Sequence, residues 1–189
     1  MRAGRLVVLA GPTAVGKGSV AAYIRRHYPQ VWLSVSVTTR APRPGEVDGV
    51  HYHFVDDAEF TRMQHSDQLL EWAVVHGRAK YGTPRAPVEA AVRAGQWPLL
   101  EIDIQGARQV RATMPEALFV FLAPPDWEEL VRRLVGRGTE DADEQRARLA
   151  TARAELAAAD EFDVTIVNHD IRQAAEELVS LLGSPPVLS

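Results

Sequence analysis

Residues 6–19 read LVVLAGPTAVGKGS, in which an apolar run leads into the spacing Gly-x-x-x-x-Gly-Lys formed by Gly11, Gly16 and Lys17. The apolar run predicts a fully buried strand, and the residues after the second glycine predict the opening of a helix. The glycines then fall at a strand-to-helix turn, the context in which this spacing wraps a phosphate group. The stretch therefore predicts an α/β fold that binds a phosphorylated ligand at this turn.

The chemistry of this turn suits an anion. Its backbone N–H groups converge on phosphate oxygens, the helix N-terminus adds partial positive charge, and Lys17 adds a full one. A plain glycine turn is the alternative, but the flanking strand and helix favour the phosphate interpretation. Gly18 stands where a Ser or Thr usually binds the accompanying magnesium ion, and Ser19 follows one place later. The predicted phosphate loop comprises Gly11, Pro12, Thr13, Ala14, Val15, Gly16, Lys17, Gly18 and Ser19.

Length and composition narrow the class of protein. The chain has 189 residues, a formal net charge of -4 and no cysteine. Because a nucleic-acid backbone calls for a basic surface, the net charge argues against nucleic-acid binding. The lack of cysteine excludes disulfides, thiolate metal sites and thiol nucleophiles. No apolar run approaches the ~20 residues that span a bilayer, and the N-terminal run is too short for a signal peptide, so we expect a soluble cytoplasmic protein without a membrane partner.

Strands and helices alternate along the chain, which predicts a parallel sheet covered by helices on both faces. The predicted strands are 5–10, 99–104, 117–122 and 163–167, and the predicted helices are 17–27, 87–94, 127–136, 143–159 and 171–182. Capping-box pairs are Asp126 with Glu129, Asp141 with Glu144, and Asp170 with Gln173, while Gly95 and Gly183 are predicted helix ends. Two stretches are interpreted as insertions that fold over the sheet: 33–83, with short strands and turns, and 125–149, a charged helix pair hinged at 136–138.

The first insertion contains a candidate anion clamp. In LSVSVTTR, residues 33–40, apolar residues alternate with Ser and Thr, which predicts a strand with one packed face and one face of hydroxyls. Arg40 continues the polar face, Arg43 follows in a loop stiffened by two prolines, and Tyr52 lies on another predicted strand. Guanidinium groups match phosphate oxygens two at a time, so these residues suit a second phosphate. A solvated basic loop is the alternative.

Two carboxylates lie in the predicted strand 99–104. Glu101 and Asp103 are two residues apart, so their side chains would share a face at the sheet edge where ligands bind in such folds. Carboxylates on an otherwise apolar strand require a cation or hydrogen-bond donors, and a structural salt bridge is the alternative. His51 and His53 share a predicted strand face as well, but the sequence places no third ligand for a zinc site.

Five further motifs follow in order. They are TTRAPRPGEVDGVHYHF at 38–54, LLEW at 69–72, KYGT at 80–83, LEIDIQGA at 100–107 and GRGTED at 136–141. Together with the phosphate loop they resemble the guanylate kinases, over nearly the whole chain. The resemblance implies a P-loop NTPase-type parallel sheet flanked by helices. It also implies transfer of the terminal phosphoryl group of ATP to GMP or dGMP, with a magnesium ion accompanying the ATP, in a monomer or homodimer.

The resemblance also assigns roles to residues and segments. The GMP-binding residues it implies are Ser36, Arg40, Arg43, Tyr52, Glu71, Tyr81, Thr83, Glu101 and Asp103. The catalytic residues it implies are Lys17, Arg133, Arg137 and Arg148. Arg137 and Asn168 join the phosphate loop in ATP binding. The candidate magnesium ligands are Ser19 and Asp103, directly or through water. The implied organisation is a single domain, with a core of 1–32, 84–124 and 150–189, a GMP-binding insertion at 33–83 and a lid at 125–149.

Glu71 can be checked against the chemistry of the base. Guanine offers N1–H and N2–H donors on its pairing edge, which one carboxylate can accept together, whereas adenine lacks the N1 proton. Two alternatives to a GMP kinase are a non-catalytic guanylate-kinase-like module that binds phosphopeptides, and a related kinase for a ribose bisphosphate acceptor. The phosphate-loop lysine and the lid arginines argue against the first, and the combination of Ser36, Glu71 and Thr83 argues against the second.

Overall fold

The computed structural model describes residues 5–75, 79–135 and 142–183. The strands are β1 (Val7–Ala10), β2 (Val31–Leu33), β3 (Val37–Thr38), β4 (His53–Phe54), β5 (Leu69–Val75), β6 (Ala79–Pro84), β7 (Trp97–Glu101), β8 (Leu118–Ala123) and β9 (Val164–Val167). The helices are α1 (Lys17–His27), α2 (Asp57–His65), α3 (Arg85–Arg93), α4 (Ile104–Thr113), α5 (Trp127–Val135), α6 (Ala142–Ala157) and α7 (Ile171–Leu182), and a 3-10 turn, Ala158–Glu161, follows α6.

Within the described residues, five strands form a parallel sheet in the order β2-β7-β1-β8-β9. The central strand, β1, pairs with a neighbour on each side, so that Val7 lies opposite Leu99 of β7 and Leu118 of β8. The predicted parallel α/β sheet is therefore confirmed. The strand β2 was not predicted, because its three residues are too few to show a period.

The sheet is buried on both faces because successive residues of a strand point to opposite sides. Val7 and Leu9 pack into one core cluster, with α1, α5 and α7, while Val8 and Ala10 pack into a second cluster with α3 and α4. All four residues of β1 are fully buried. This explains why the strand that leads into the phosphate loop is an unbroken apolar run.

The first insertion forms a separate four-stranded sheet in the order β4-β3-β6-β5. The prediction of short strands and turns for 33–83 missed α2, whose single fully buried residue is Phe60. The Asp56 side chain caps this helix by accepting the Glu59 N–H at 2.7 Å. A mostly polar helix with one buried anchor carries little periodic signal, which is why the sequence pattern did not reveal it.

Two strand predictions were wrong in their extent. The predicted strand 99–104 ends at Glu101, and the unpredicted helix α4 begins three residues later with Asp103 as its cap, which accepts the Gly106 N–H at 2.6 Å. The stretch 33–40 is not one strand, because β2 belongs to the parallel sheet and β3 to the second sheet. Thr38 is fully buried rather than part of an exposed hydroxyl face.

The described part of the second insertion contains α5 and the first half of α6. Leu130 and Leu134 anchor α5 in the core cluster of the parallel sheet. The caps predicted at Asp126 and Asp170 are confirmed, since each accepts the N–H three residues on, at 2.7 and 3.0 Å. Asp141, the predicted capping residue of the pair with Glu144, and the hinge 136–138 lie outside the described residues. Among the described helices, none is both long enough and apolar enough to cross a membrane.

Candidate active site

The loop between β1 and α1 adopts a conformation that requires glycine at two positions. At Gly11, φ is 153°, and a Cβ would lie 2.4 Å from the carbonyl oxygen of Leu122 on β8. At Gly16, φ is 103°, and a Cβ would lie 2.7 Å from the Asn168 side-chain nitrogen. Ala14 also has a positive φ, 66°, which strains an L residue. The backbone therefore wraps as tightly as the spacing predicted.

Lys17 starts α1 and lies folded over this loop. Its Nζ donates to the carbonyl oxygens of Gly11 at 2.7 Å and Pro12 at 3.0 Å. Burial lowers the pKa of the Lys17 ammonium, and the nearby Glu101 carboxylate opposes that shift. The ammonium has three N–H donors, so one remains for a ligand even in this position.

The carbonyl of Val15 is held by two side chains from distant parts of the chain. The buried Asn168 donates its Nδ2 at 2.9 Å, and Arg133 donates its Nη1 at 3.1 Å. Arg133 is itself oriented by Glu129 on the same helix, at 2.9 Å. The amide of Asn168, which the resemblance assigned to ATP binding, is a structural support of the phosphate loop.

A further support comes from α6. The Glu155 carboxylate accepts the backbone N–H of Thr13 at 2.8 Å. No sequence pattern pointed to Glu155, because its partner lies 142 positions away. The loop is therefore held from the α6 side as well as from the β9 side.

A cavity of about 230 Å³ lies between the parallel sheet and the second sheet. It brings together seven residues that the sequence assigned to the site: Lys17, Ser36, Tyr52, Glu71, Tyr81, Glu101 and Asp103. Although Asp103 belongs to a helix cap rather than to a strand, it still lies beside Glu101 in this cavity.

Glu71 is the buried carboxylate of this cavity. It lies on β5 opposite Thr83 of β6, is 5% exposed, and accepts the Thr83 hydroxyl proton at 2.6 Å. Burial raises the pKa of Glu71 to about 7, with the Thr83 hydrogen bond opposing the shift and the Asp103 charge adding to it. A carboxylate in this state is short of hydrogen-bond donors, which a ligand could supply.

The predicted anion clamp is partly assembled. The Arg40 Nε donates to the Tyr81 hydroxyl at 3.0 Å, and its guanidinium lies 5.4 Å from the centre of the Tyr52 ring. Glu46, which no sequence pattern indicated, accepts hydrogen bonds from both terminal nitrogens of Arg40, at 3.0 and 2.8 Å. This pairing raises the pKa of Arg40 and lowers the pKa of Glu46 to about 2. Arg43 is exposed, and its backbone N–H donates to Glu46 at 2.7 Å.

A second cavity, of about 950 Å³, lies on the other side of Lys17. The predicted ATP-binding residues that line it are Thr13, Ala14, Gly16, Lys17, Gly18, Ser19 and Asn168, together with Arg133. Lys17 and Glu101 line both cavities. Burial raises the pKa of Glu101, and the Lys17 charge opposes this. The two cavities therefore meet at an ammonium and a carboxylate.

The two remaining predicted lid arginines are Arg137 and Arg148. Arg148 lies half-buried on α6, and it is not among the described residues that line the two cavities. Arg137 lies outside the described residues. Their predicted roles remain predictions.

Comparison with known proteins decides the family. Residues 3–184 match the sequence model of the guanylate kinase family. The chain is 66% identical to a guanylate kinase of Leifsonia xyli, over 96% of this chain and 71% of the relative, and 61% identical to one of Thermobifida fusca, over 96% and 92%. The chain belongs to the guanylate kinase family. It is therefore a kinase, a nucleotide-binding transferase, which confirms the predicted enzyme class.

Solved structures agree with this assignment. A guanylate kinase from Anaplasma phagocytophilum superposes with a TM-score of 0.78 at 34% identity, covering 100% of this chain and 89% of that one. A shikimate kinase from Bacteroides thetaiotaomicron superposes with a TM-score of 0.50 at 14% identity, covering 96% of this chain and 100% of that one, which shows a shared fold alone.

Guanylate kinases imply a magnesium ion accompanying ATP, and the donor set here fits one. Among the described residues, no three His, Cys, Asp or Glu side chains converge to form a metal site by themselves. His51, one of the two histidines considered for zinc, uses its Nδ1 to accept a backbone N–H at 3.0 Å. Magnesium is commonly held by one or two carboxylates together with substrate phosphates. A Cβ on Gly18 would lie 3.7 Å from a Glu101 carboxylate oxygen, so that oxygen lies beside the position where other phosphate loops carry a hydroxyl.

Proposed function

We propose that this enzyme transfers the γ-phosphoryl group of ATP to GMP or dGMP, giving ADP and GDP or dGDP. The observation that carries the proposal is the position of Glu71, a buried carboxylate in the same cavity as the phosphate-loop lysine, Lys17. A site built only for phosphate would have no use for a buried acid, because like charges repel. The family's name and the identity of its curated members support the same substrate.

Guanine recognition is proposed to rest on Glu71. Its two oxygens accept the N1–H and N2–H of guanine, while the Thr83 hydroxyl holds one of them in place. Ser36 lines the same cavity and supplies a hydroxyl to the base. Adenine offers an unprotonated N1 to a buried carboxylate, a mismatch that can discriminate by ~10⁴.

The GMP phosphate is proposed to lie at the clamp of Arg40, Arg43, Tyr52 and Tyr81. Glu46 fixes the planar fork of Arg40 in one orientation, so little side-chain entropy is lost when the phosphate arrives. One terminal N–H of Arg40 is left for the phosphate after its bonds to Glu46, Tyr81 and the Ala41 carbonyl. The exposed Arg43 supplies the second guanidinium.

Phosphoryl transfer is proposed to occur where the two cavities meet. ATP would lie in the larger cavity on the phosphate loop, with Lys17 turning from the loop carbonyls toward the transferred group. The GMP phosphate oxygen is already anionic and needs no general base, so catalysis is positioning and charge stabilisation. Arg133, Arg137 and Arg148 would add positive charge from the lid. The magnesium ion, when bound with ATP, would neutralise phosphate charge, held by Glu101, Ser19 and Asp103 directly or through water.

The core and the two insertions are proposed to have separate roles. The core of 1–32, 84–124 and 150–189 would hold ATP, the insertion 33–83 would hold GMP, and 125–149 would close as a lid and exclude water. The boundary at 149 falls inside the continuous helix α6, so a moving lid would have to bend or tilt that helix.

The test is ADP formation from Mg-ATP with GMP, dGMP, AMP, UMP, a ribose bisphosphate or no acceptor, with Lys17→Ala as the control. We expect turnover confined to GMP and dGMP, and a loss of at least ~100-fold in Lys17→Ala. Binding of GMP without turnover would favour the phosphopeptide-binding alternative. Turnover with the ribose bisphosphate but not GMP would favour the other kinase.

A further inference from the structure

The start of α4 forms the wall against which Glu71 packs. Asp103 caps the helix by accepting the Gly106 N–H at 2.6 Å. A Cβ built on Gly106 would lie 2.5 Å from one carboxylate oxygen of Glu71, 3.0 Å from its carboxyl carbon and 3.2 Å from Asp103 Oδ1. The Glu71 carboxylate therefore occupies the space that any other residue at position 106 would fill.

The backbone conformation at position 106 does not require glycine. It lies inside α4, where glycine destabilises a helix relative to alanine, and its φ is not among the positive values found in the described chain. It is also not at a helix end that needs a left-handed cap. The contact with Glu71 is the feature of this position that excludes a side chain.

The strand that carries Glu71 cannot easily retreat from a side chain at position 106. Gln109, one helical turn further along α4, accepts the Trp72 N–H at 3.0 Å and donates to the Trp72 carbonyl at 2.8 Å. On its other side, β5 is paired with β6, with Thr83 opposite Glu71. The backbone next to Glu71 is thus fixed to both neighbours, so a new Cβ would move the carboxylate itself.

We propose that Gly106 is a specificity-determining residue, which by lacking a side chain sets the position of the Glu71 carboxylate and hence the choice of guanine over adenine. The inference rests on the proposed function, in which Glu71 reads the base. A carboxylate oxygen of Glu71 lies 2.5 Å from the position that a Cβ on residue 106 would take. Because these two atoms must be more than 3.0 Å apart, the Glu71 carboxylate would shift by about half an ångström or more. Hydrogen bonds weaken steeply once length and angle leave their range, and two bonds to one base edge must both stay aligned.

The experiment compares Gly106→Ala with the unchanged enzyme for kcat/KM with GMP and with AMP, and for Tm. At pH 8 we expect kcat/KM for GMP to fall about tenfold or more, and that for AMP to change less than about twofold, because AMP makes no paired bonds to the ionised Glu71. The Tm should change little, since the displaced atoms are the end of one side chain and the gain from alanine in the helix offsets their displacement.

Gly183→Ala is the matched control. A Cβ there would lie 2.9 Å from the Trp97 ring, a comparable clash at the other end of the chain. It should lower the Tm and leave the ratio of kcat/KM for GMP to that for AMP unchanged. Equal loss of this ratio in both variants would overturn the proposal, because packing damage in general would then explain it.

A rescue variant separates positioning from damage. Glu71→Asp shortens the side chain by one methylene, so in the Gly106→Ala background it should restore part of the lost GMP preference or, if the single variant does not fold, restore folding. In the unchanged background the same substitution should only impair GMP turnover. Unchanged GMP preference in Gly106→Ala, or no rescue by Glu71→Asp, would overturn the role of Gly106. Absence of GMP turnover in the unchanged enzyme would instead overturn the proposed function.

Discussion

The pH dependence of GMP binding is a direct consequence of the buried position of Glu71. Only the ionised carboxylate can accept both N–H groups of guanine, and burial raises the pKa of Glu71 to about 7. Lowering the pH from 8 to 6 should therefore weaken GMP binding. The protonated acid can donate to adenine N1 and accept from its amino group, so the preference for GMP over AMP should shrink over the same range.

The magnitude follows from the fraction of Glu71 that is ionised. With a pKa of about 7, roughly ten carboxyls in eleven are ionised at pH 8 and roughly one in eleven at pH 6. The apparent Kd for GMP should then rise about tenfold, which corresponds to about 1.4 kcal/mol. The second pKa of a phosphate monoester, near 6, adds a factor of about two over this range.

Calorimetric titration of GMP at pH 6, 7 and 8 measures this effect, with Glu71→Gln as the control. The glutamine variant should bind GMP more weakly and prefer it less over AMP, but it keeps the titration of the GMP phosphate. We expect a rise in Kd of about twentyfold for the unchanged enzyme between pH 8 and 6, and only about twofold for Glu71→Gln. Equal slopes in the two proteins would refute the reasoning, since Glu71 would then not titrate in this range.

Folding stability gives an independent readout of the same group. Because the pKa is raised in the folded state, the folded chain binds more protons than the unfolded chain between pH 4.5 and about 7. The free energy of unfolding should therefore fall as the pH rises through this window, by about 3 kcal/mol in total, and then level off. Urea unfolding of Glu71→Gln should lack this part of the slope.

Four other substitutions test the supports of the two subsites. Arg40→Ala and Arg43→Ala should each raise KM for GMP about tenfold or more. Only Arg40→Ala should lower the Tm, because Arg40 is paired with Glu46 whereas the Arg43 side chain is exposed. An equal fall in Tm in both variants would contradict the clamp geometry. Asn168→Ala removes a buried donor to the phosphate loop, so it should lower the free energy of unfolding by about 1–3 kcal/mol and raise KM for ATP, not GMP. Ala14→Gly relieves a left-handed backbone, so urea unfolding should show a free energy equal to or up to about 1 kcal/mol above the original, and a clear loss would contradict the strain.

The parallel sheet could be predicted because its central strands are buried on both faces. Such strands read as unbroken apolar runs, and β1 leads directly into the Gly11 to Lys17 spacing. The end of β7 could not be predicted in the same way. Leu100, Ile102 and Ile104 alternate with polar residues as in a strand, although Ile104 is already helical. The cap that ends this alternation pairs Asp103 with a glycine rather than with the Glu or Gln of a capping box.

Some residues of the candidate site could likewise be predicted from the sequence, and others could not. The glycine spacing predicted Lys17, and Glu101 and Asp103 were predicted because they are charged residues in an otherwise apolar stretch. Contacts between distant residues left no trace in the sequence. Glu155 meets Thr13, and Gln109 meets the backbone of Trp72, only once the helices are packed on the sheets. Such contacts hold the site in shape, and spacing along the chain does not encode them.

The residues whose conformation or burial is locally unfavourable lie where the ligands are proposed to bind. Ala14 adopts a left-handed conformation in the phosphate loop, Gly106 weakens a helix beneath the base pocket, and Glu71 is a buried carboxylate that accepts a hydrogen bond from Thr83. Each feature destabilises the chain without a ligand. Guanine would supply Glu71 with the donors it lacks, so GMP binding should stabilise this enzyme most at high pH, where the unsatisfied charge destabilises it most. A larger rise in Tm on adding GMP at pH 8 than at pH 6, absent in Glu71→Gln, would link specificity and stability to one carboxylate.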